Sequence, residues 1–383
     1  MTATAVAPIP TARDERWHYA PLDEITARLQ RSVAPSPGDP AARVAPSQID
    51  ALAAAAGPRL VFVNGEHSSA LSDLDGLPIG VRCGVSGMNQ GSAAGTATVT
   101  VDDGVRCEEL IHVVHIAAPD AGATRSVLSR PRTTIVVGAG ARVSIVETFG
   151  GPTGSTSPAF TEAATQVRLG DDSELALYRI QIEPPQVTHV GRTRIDQGAR
   201  SVMRMTSVTL GGDIARNAVE VRLDAPDAAI ELTGIDVARG RQRHDTVVTV
   251  EHAASRCSSS QRFNAVVDHH ARASFSGEII VEPGTTGTDA HQSSRSLVLD
   301  RNAEADSRPW LRILADDVRC THGAAVGRLD DDALHYLRSR GVPLAAARAM
   351  LIDAFLGDIT DSITDARLRA HVAGVVSSTV ARR

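Results

Sequence analysis

Cys320 and His322 are the residues best suited to chemistry, one residue apart in the run Val318-Arg319-Cys320-Thr321-His322-Gly323. A cysteine thiolate is a soft metal ligand and an imidazole a harder one that can let go, so together they suit a labile transition-metal site. On an extended strand end, residues i and i+2 point to the same side, which delivers sulfur and imidazole to one spot. One cysteine and one histidine cannot complete a metal centre, so a second chain must supply the missing ligands. Each residue also has a plainer reading. A lone cysteine is most often a small buried hydrophobe, and a lone histidine a satisfied or solvated side chain.

The other candidates carry less. Cys83, Cys107 and Cys257 are scattered with no CxxC pair and read as free core thiols. His244, His252, His269, His270 and His291 match no standard zinc spacing. The acidic run Asp330–Asp332 reads as a helix N-terminus complementing the dipole, not a magnesium site. The loop Gly150–Ser155 is too irregular to cradle phosphate. All 39 basic residues are arginine. A chain without lysine has no Walker A loop, Schiff-base lysine or kinase strand lysine, each of which needs an ammonium on a flexible stem.

Three regions must position these residues. Residues 1–58 read as short helices around the proline-rich linker Ala34–Pro40. Asp23–Leu29 spaces its apolar residues helically, and a second helix starts behind Ser47. Residues 59–322 change to period two, as in Arg59–Val63, Thr133–Val137, Arg142–Glu147, Leu175–Ile180 and Gly277–Val281, with no helix between them. Parallel sheets built from βαβ units are therefore disfavoured. A loose repeat places small turn residues and an alanine before a strand near Ala141, Ala199, Ala229 and Ala271, with a further copy at Asp171–Leu175. Irregular coils of roughly 20–30 residues suit a β-solenoid, and a β-sandwich with similar turns remains open on spacing alone. Aromatic content of 3% favours a thin aliphatic core over a broad one. Residues 323–383 return to helix. Asp330 caps one, Gly341 closes it, Pro343 opens the next with Leu344, Ala347, Leu351 and Phe355 as its apolar face, Gly357 ends that one, and Asp361 starts a third carrying Leu368, Val372, Val375 and Val376.

Net charge of −6 with no basic stripe argues against nucleic acid as a partner. No apolar run is long enough for a membrane span, and the first residues lack a secretory pattern, so the cytoplasm is the expected compartment.

The segment Pro309–Gly327, with its Asp316-Asp317-Val318-Arg319-Cys320 element followed by Thr321-His322-Gly323-Ala324, resembles the SufB/SufD family of iron–sulfur cluster assembly proteins. Glu15-Arg16-Trp17-His18-Tyr19, Leu60–Gly65, Ser274–Gly277 and Thr288–Gln292 resemble further family elements in the family's order, with His291 standing where tyrosine is common. Gly323 and Gly327 resemble the SufD branch. The resemblance implies a mainly β fold: a right-handed parallel β-helix flanked by N- and C-terminal α-helical regions. It implies a heterodimer with a SufB-like paralogue, with His322 and Cys320 at that interface. It also implies a SufC-like ABC-type ATPase docked on the C-terminal helices. ATP is then bound by the ATPase and not by this chain, which turns over no substrate, holds no stable cofactor, and shares a transient cluster or iron with its partner. The competing readings are a β-solenoid enzyme acting on polysaccharide, disfavoured by the scarce aromatics, and a structural paralogue that only stabilises SufB.

Overall fold

The computed structural model describes residues 15–36, 38–53, 57–86 and 95–381. Residues 1–14, Pro37 and the segment 54–56 expected near the end of the second helix lie outside that set. The chain is mainly β and winds into a parallel solenoid of about seven coils, with helices at both ends of the sequence. The β-sandwich alternative is thereby excluded. From Arg142 on, successive strands alternate between two facing ten-stranded sheets, each pairing in parallel with the strand a coil away.

Parity along each strand builds the interior. Val143, Leu175, Met203 and Ile230 occupy one inward column of one sheet. Val167, Ile195, Val221 and Val250 pack within the same core from the other sheet. Such columns need only aliphatic side chains, which is why a chain with few aromatics can fill its core.

Between the sheets the corners stack a second column, Ala141, Ser173, Ser201, Ala228 and Cys257, every one buried. This register differs from the alanine repeat read in the sequence. Ala199 lies two residues and Ala229 one residue out of step, and Ala271 sits at the opposite corner. The physical requirement is a small side chain, not alanine, so serine and cysteine fill the column as well. The corner residues Asp172, Arg200, Asp227 and Arg256 adopt left-handed backbone angles, with φ of 58°, 56°, 62° and 60°. Stacked corners pair across coils, Arg200 Nε lying 2.6 Å from Asp172 and Arg256 Nε 2.7 Å from Asp227.

The helices cover the outer faces. Helix α1 (Leu22–Arg31) places Ile25 against Phe160 and Ile214 and ties down through Arg28–Asp213 and Glu24–Arg243 pairs, each at 2.5 Å. Trp17 lies against Arg216, whose guanidinium carbon is 3.8 Å from the ring centre. Helix α2 (Pro46–Leu52) packs Ile49 and Leu52 on Val61, Val63 and Val114. Its start is held by Gln48, whose side chain accepts from the Ala45 amide, so Ser47 is inside the helix and is not its cap.

At the other end, α3 (Asp331–Ser339) begins on Asp330, whose carboxylate accepts from the Asp332 and Ala333 amides, and Gly341 follows it with φ of 87°. Helix α4 (Leu344–Thr360) continues three residues past Gly357, which therefore does not end it. Its buried face is Ala347, Ile352, Leu356 and Ile359, leaving Leu344 exposed. Helix α5 (Ala366–Ala381) starts at Asp365, which caps the Leu368 amide, and not at Asp361. It buries Leu368, Val372 and Val376, and with α4 it covers Tyr178, Val208, Ile235 and Val266 on one sheet. Among the described residues no helix is long and apolar enough to cross a membrane.

Candidate functional site at the open coil

The two ends of the solenoid are finished differently. At the first coil, Glu66–His67 and Val81–Ser86 fold back antiparallel onto the outermost parallel strands, and α2 packs alongside. At the last coil, Glu304–Ile313 and Val318–Gly327 are the terminal strands of the two sheets, and among the described residues neither has a strand partner beyond it. Trp310, Ile313, Leu314 and Val326 are exposed around this end. An unpaired edge bordered by exposed apolar side chains is a template for another chain's backbone.

Cys320 and His322 lie in the second of these strands, at its third and fifth positions and not at its end. The strand runs on to Gly327, past residue 322, because its whole length pairs in parallel with Thr288–Val298. Cys320 is registered on Ala290 and His322 on Gln292. Ala290 and Gln292 are both buried, their parity pointing them into the lumen. The site is therefore the continuation of the inner column at a coil with nothing stacked on it, which leaves Cys320 half-buried and His322 exposed. Both side chains do share a face, as their spacing predicts, and that face opens along the solenoid axis. Burial raises the Cys320 thiol above its ordinary value and the Asp289 charge adds to this, so the free protein presents a thiol that a metal must deprotonate.

The outward face of the same rung is fastened differently. His291 Nδ1 is 2.7 Å from Thr321 Oγ1, and its Nε2 is 2.9 Å from Asp289 Oδ1. His244 and His252 are occupied within the fold, by Asp236 at 2.6 Å and Ser259 at 2.8 Å. Among the described residues no group of three or more His, Cys, Asp and Glu side chains is placed to hold a metal ion. Cys257 fills its corner column with Sγ 3.3 Å from the Ala225 carbonyl, and burial raises its thiol and that of Cys107. Cys83 is pushed up to about 12 by burial and by Cys107.

One polar group was not anticipated from the sequence. Glu147 and Arg179 are fully buried between the sheets, Arg179 Nε lying 3.2 Å from the Glu147 carboxylate and Thr165 donating to that carboxylate at 2.8 Å. Nearby, His189 Nδ1 is 2.8 Å from Glu183, which also accepts from Thr161 at 2.6 Å. Burial pushes the Glu147 carboxyl up, but His115 and Arg179 outweigh it and hold the group down at about 2. The signal was parity: Glu147 follows Val143 and Ile145 at even spacing, and Arg179 follows Leu175 and Leu177.

Known proteins resemble the chain over most of its length. A family model described as SUF system FeS cluster assembly, SufBD core domain, matches residues 120–355. An iron–sulfur cluster assembly SufBD family protein of Synechocystis is 29% identical over 401 residues, covering 96% of this chain and 87% of that protein. The iron–sulfur cluster assembly protein SufD of Escherichia coli is 28% identical over 380 residues, covering 95% and 88%.

Proposed function

The chain belongs to the SufBD family of iron–sulfur cluster assembly proteins and is SufD-like, and from that premise we propose that it is a non-catalytic scaffold subunit of the SUF system. It pairs through its open coil with a SufB-like paralogue and through its C-terminal helices with a SufC-like ABC-type ATPase, which alone binds ATP. The cluster or its iron is cargo, held transiently between Cys320, His322 and ligands from the paralogue. The complex works in the cytoplasm.

The observation that carries this reading is the last coil, where two unpaired strand edges surround Cys320 and His322. A paralogue with the same fold is suited to it, since another solenoid end offers strands of matching length, spacing and twist. Its arrival turns an exposed imidazole and a half-buried thiol into a desolvated, multi-ligand site. The C-terminal helices support the second partner in a similar way: α3 buries none of its residues, and Tyr336, Leu344 and Met350 are exposed on and beside it. Because a chain without lysine has no Walker A site, energy from ATP hydrolysis at such a site enters from outside.

Co-expression with SufB-like and SufC-like chains should yield a stable complex, and His322→Ala should leave that complex intact while lowering cluster transfer to an apo-ferredoxin about tenfold or more. Undiminished transfer by the variant would remove His322 from the site, and recovery of the chain only as a free monomer from native extract would remove the partnership.

A further inference from the structure

We infer that Gln292 is a positioning residue for His322, its side-chain carbonyl fixing which imidazole nitrogen faces the incoming metal. The inference deepens the proposed function and rests on that reading of His322.

Four observations converge. First, register places Gln261, Gln292 and His322 on successive coils at one lumenal position. Second, Gln292 Nε2 donates to Gln261 Oε1 at 2.9 Å with both side chains buried, which starts an amide ladder along the solenoid axis. Gln292 spends its donor on the rung behind, which leaves its carbonyl for the rung ahead. Here the rung ahead is His322. Third, Gln292 Oε1 is buried and has no hydrogen-bond partner among the described residues. A buried acceptor left without a donor is costly, so the ladder is built with its last bond outstanding. Fourth, the opposite sheet is shaped around this side chain. A Cβ on Gly277 would fall 1.8 Å from Gln292 Nε2, so only glycine there leaves the amide its place.

The chemistry follows from the donor inventory of the two groups. A carbonyl accepts only from a protonated ring nitrogen, so the bond to Gln292 selects one neutral tautomer and leaves the other nitrogen's lone pair free. That free nitrogen is the metal-binding one, and a hydrogen bond to the far side of a ligating imidazole orients the ring and raises its basicity. When a partner closes the coil, His322 loses its access to water and the bond to Gln292 becomes its inner anchor.

The variants are Gln292→Met, similar in volume without the acceptor, and Gln292→Glu, which keeps an acceptor. Two measurements are made. One is the tautomer of His322 in the iron-free co-expressed complex with this chain labelled with 15N-histidine, its signal assigned by loss in His322→Gln. The other is ferrous ion retained by the co-expressed complex. The expected result is one dominant tautomer in the wild type, a mixture in Gln292→Met, iron affinity lowered roughly 10- to 100-fold, and recovery of both in Gln292→Glu. A tautomer unchanged in Gln292→Met overturns the inference, whatever happens to iron. If His322→Ala lowers iron retention and Gln292→Met does not, the positioning role fails and the proposed function stands. If His322→Ala retains iron fully, the proposed function fails at His322, and the tautomer alone decides whether Gln292 orients the ring.

Discussion

The first and last coils use the same strand geometry and reach opposite ends. The first is sealed by antiparallel strands, with Phe62 and Leu60 1% exposed behind them. The last exposes Trp310 and Val326 and leaves its backbone edges unpaired among the described residues. A solenoid must be capped wherever it would otherwise template aggregation. The uncapped end is thus where the fold accepts an association hazard, and it is also where the Cys320–His322 pair sits. The first end is sealed by the chain's own strands, and the last is the one that the proposed function gives to a partner.

The strongest way to break that contrast is to truncate one aromatic at each end. Phe62→Ala empties a fully enclosed site in the main core and should cost about 3–5 kcal/mol in urea unfolding. Trp310 is 43% exposed, so Trp310→Ala should change the unfolding of the isolated chain by less than about 1 kcal/mol. The same Trp310 variant should weaken association with the SufB-like paralogue by about 2 kcal/mol, roughly 30-fold, as loss of an interface anchor does. Equal unfolding costs at the two ends would show that the open coil is a structural part of the core, and unchanged association would take Trp310 out of the interface.

Acid should attack the closed interior and spare the open end. Glu147 is held at about 2, below its ordinary 4.5, so its ionised form stabilises the fold above about 4.5 and that contribution disappears as pH falls toward 2. His112 and His252 are pushed down by burial to about 4 from 6.5, so their neutral forms stabilise the fold above about 6.5 and are lost as pH falls toward 4. Thermal midpoints recorded from pH 7 to pH 3 should therefore begin to drop below about 6.5 and fall more steeply below about 4.5. His112→Gln with His252→Gln should flatten the upper part of that curve. A flat profile from pH 6.5 to 4 in the wild type would mean these imidazoles do not stay neutral in the folded state.

Much of this architecture was legible because solenoid physics writes itself into parity. The strands at 142–147 and 175–180, the break into helix after the last strand, the Asp330 cap and the Cys320–His322 pair on one face all follow from local rules. The sequence does not display which coil stacks on which. Without that register the corner column of Ala141, Ser173, Ser201, Ala228 and Cys257 looked like an irregular alanine repeat, and Cys257 had no visible reason to be small. Glu147 and Arg179 sit at inward parity that conflicts with their charge, and only the pairing of their coils shows that each neutralises the other. The open end was illegible for a related reason. An edge is a property of what fails to stack, and no residue type announces it.

The smallest effect concerns the corners that join the two ends. Asp227 holds φ of 62°, a conformation that costs an ordinary side chain strain, and its carboxylate receives Arg256 from the next coil in a two-pronged pair at 2.7 Å. Two substitutions separate these contributions. Asp227→Gly removes the ion pair but relieves the left-handed strain, whereas Asp227→Ala removes the ion pair and keeps it. The thermal midpoint should fall further for alanine than for glycine, and raising the salt concentration should narrow the gap between wild type and glycine while leaving the gap between glycine and alanine unchanged. Should glycine and alanine prove equal, backbone strain contributes nothing at this corner and the ion pair alone fixes the stacking of coils between the closed end and the open one.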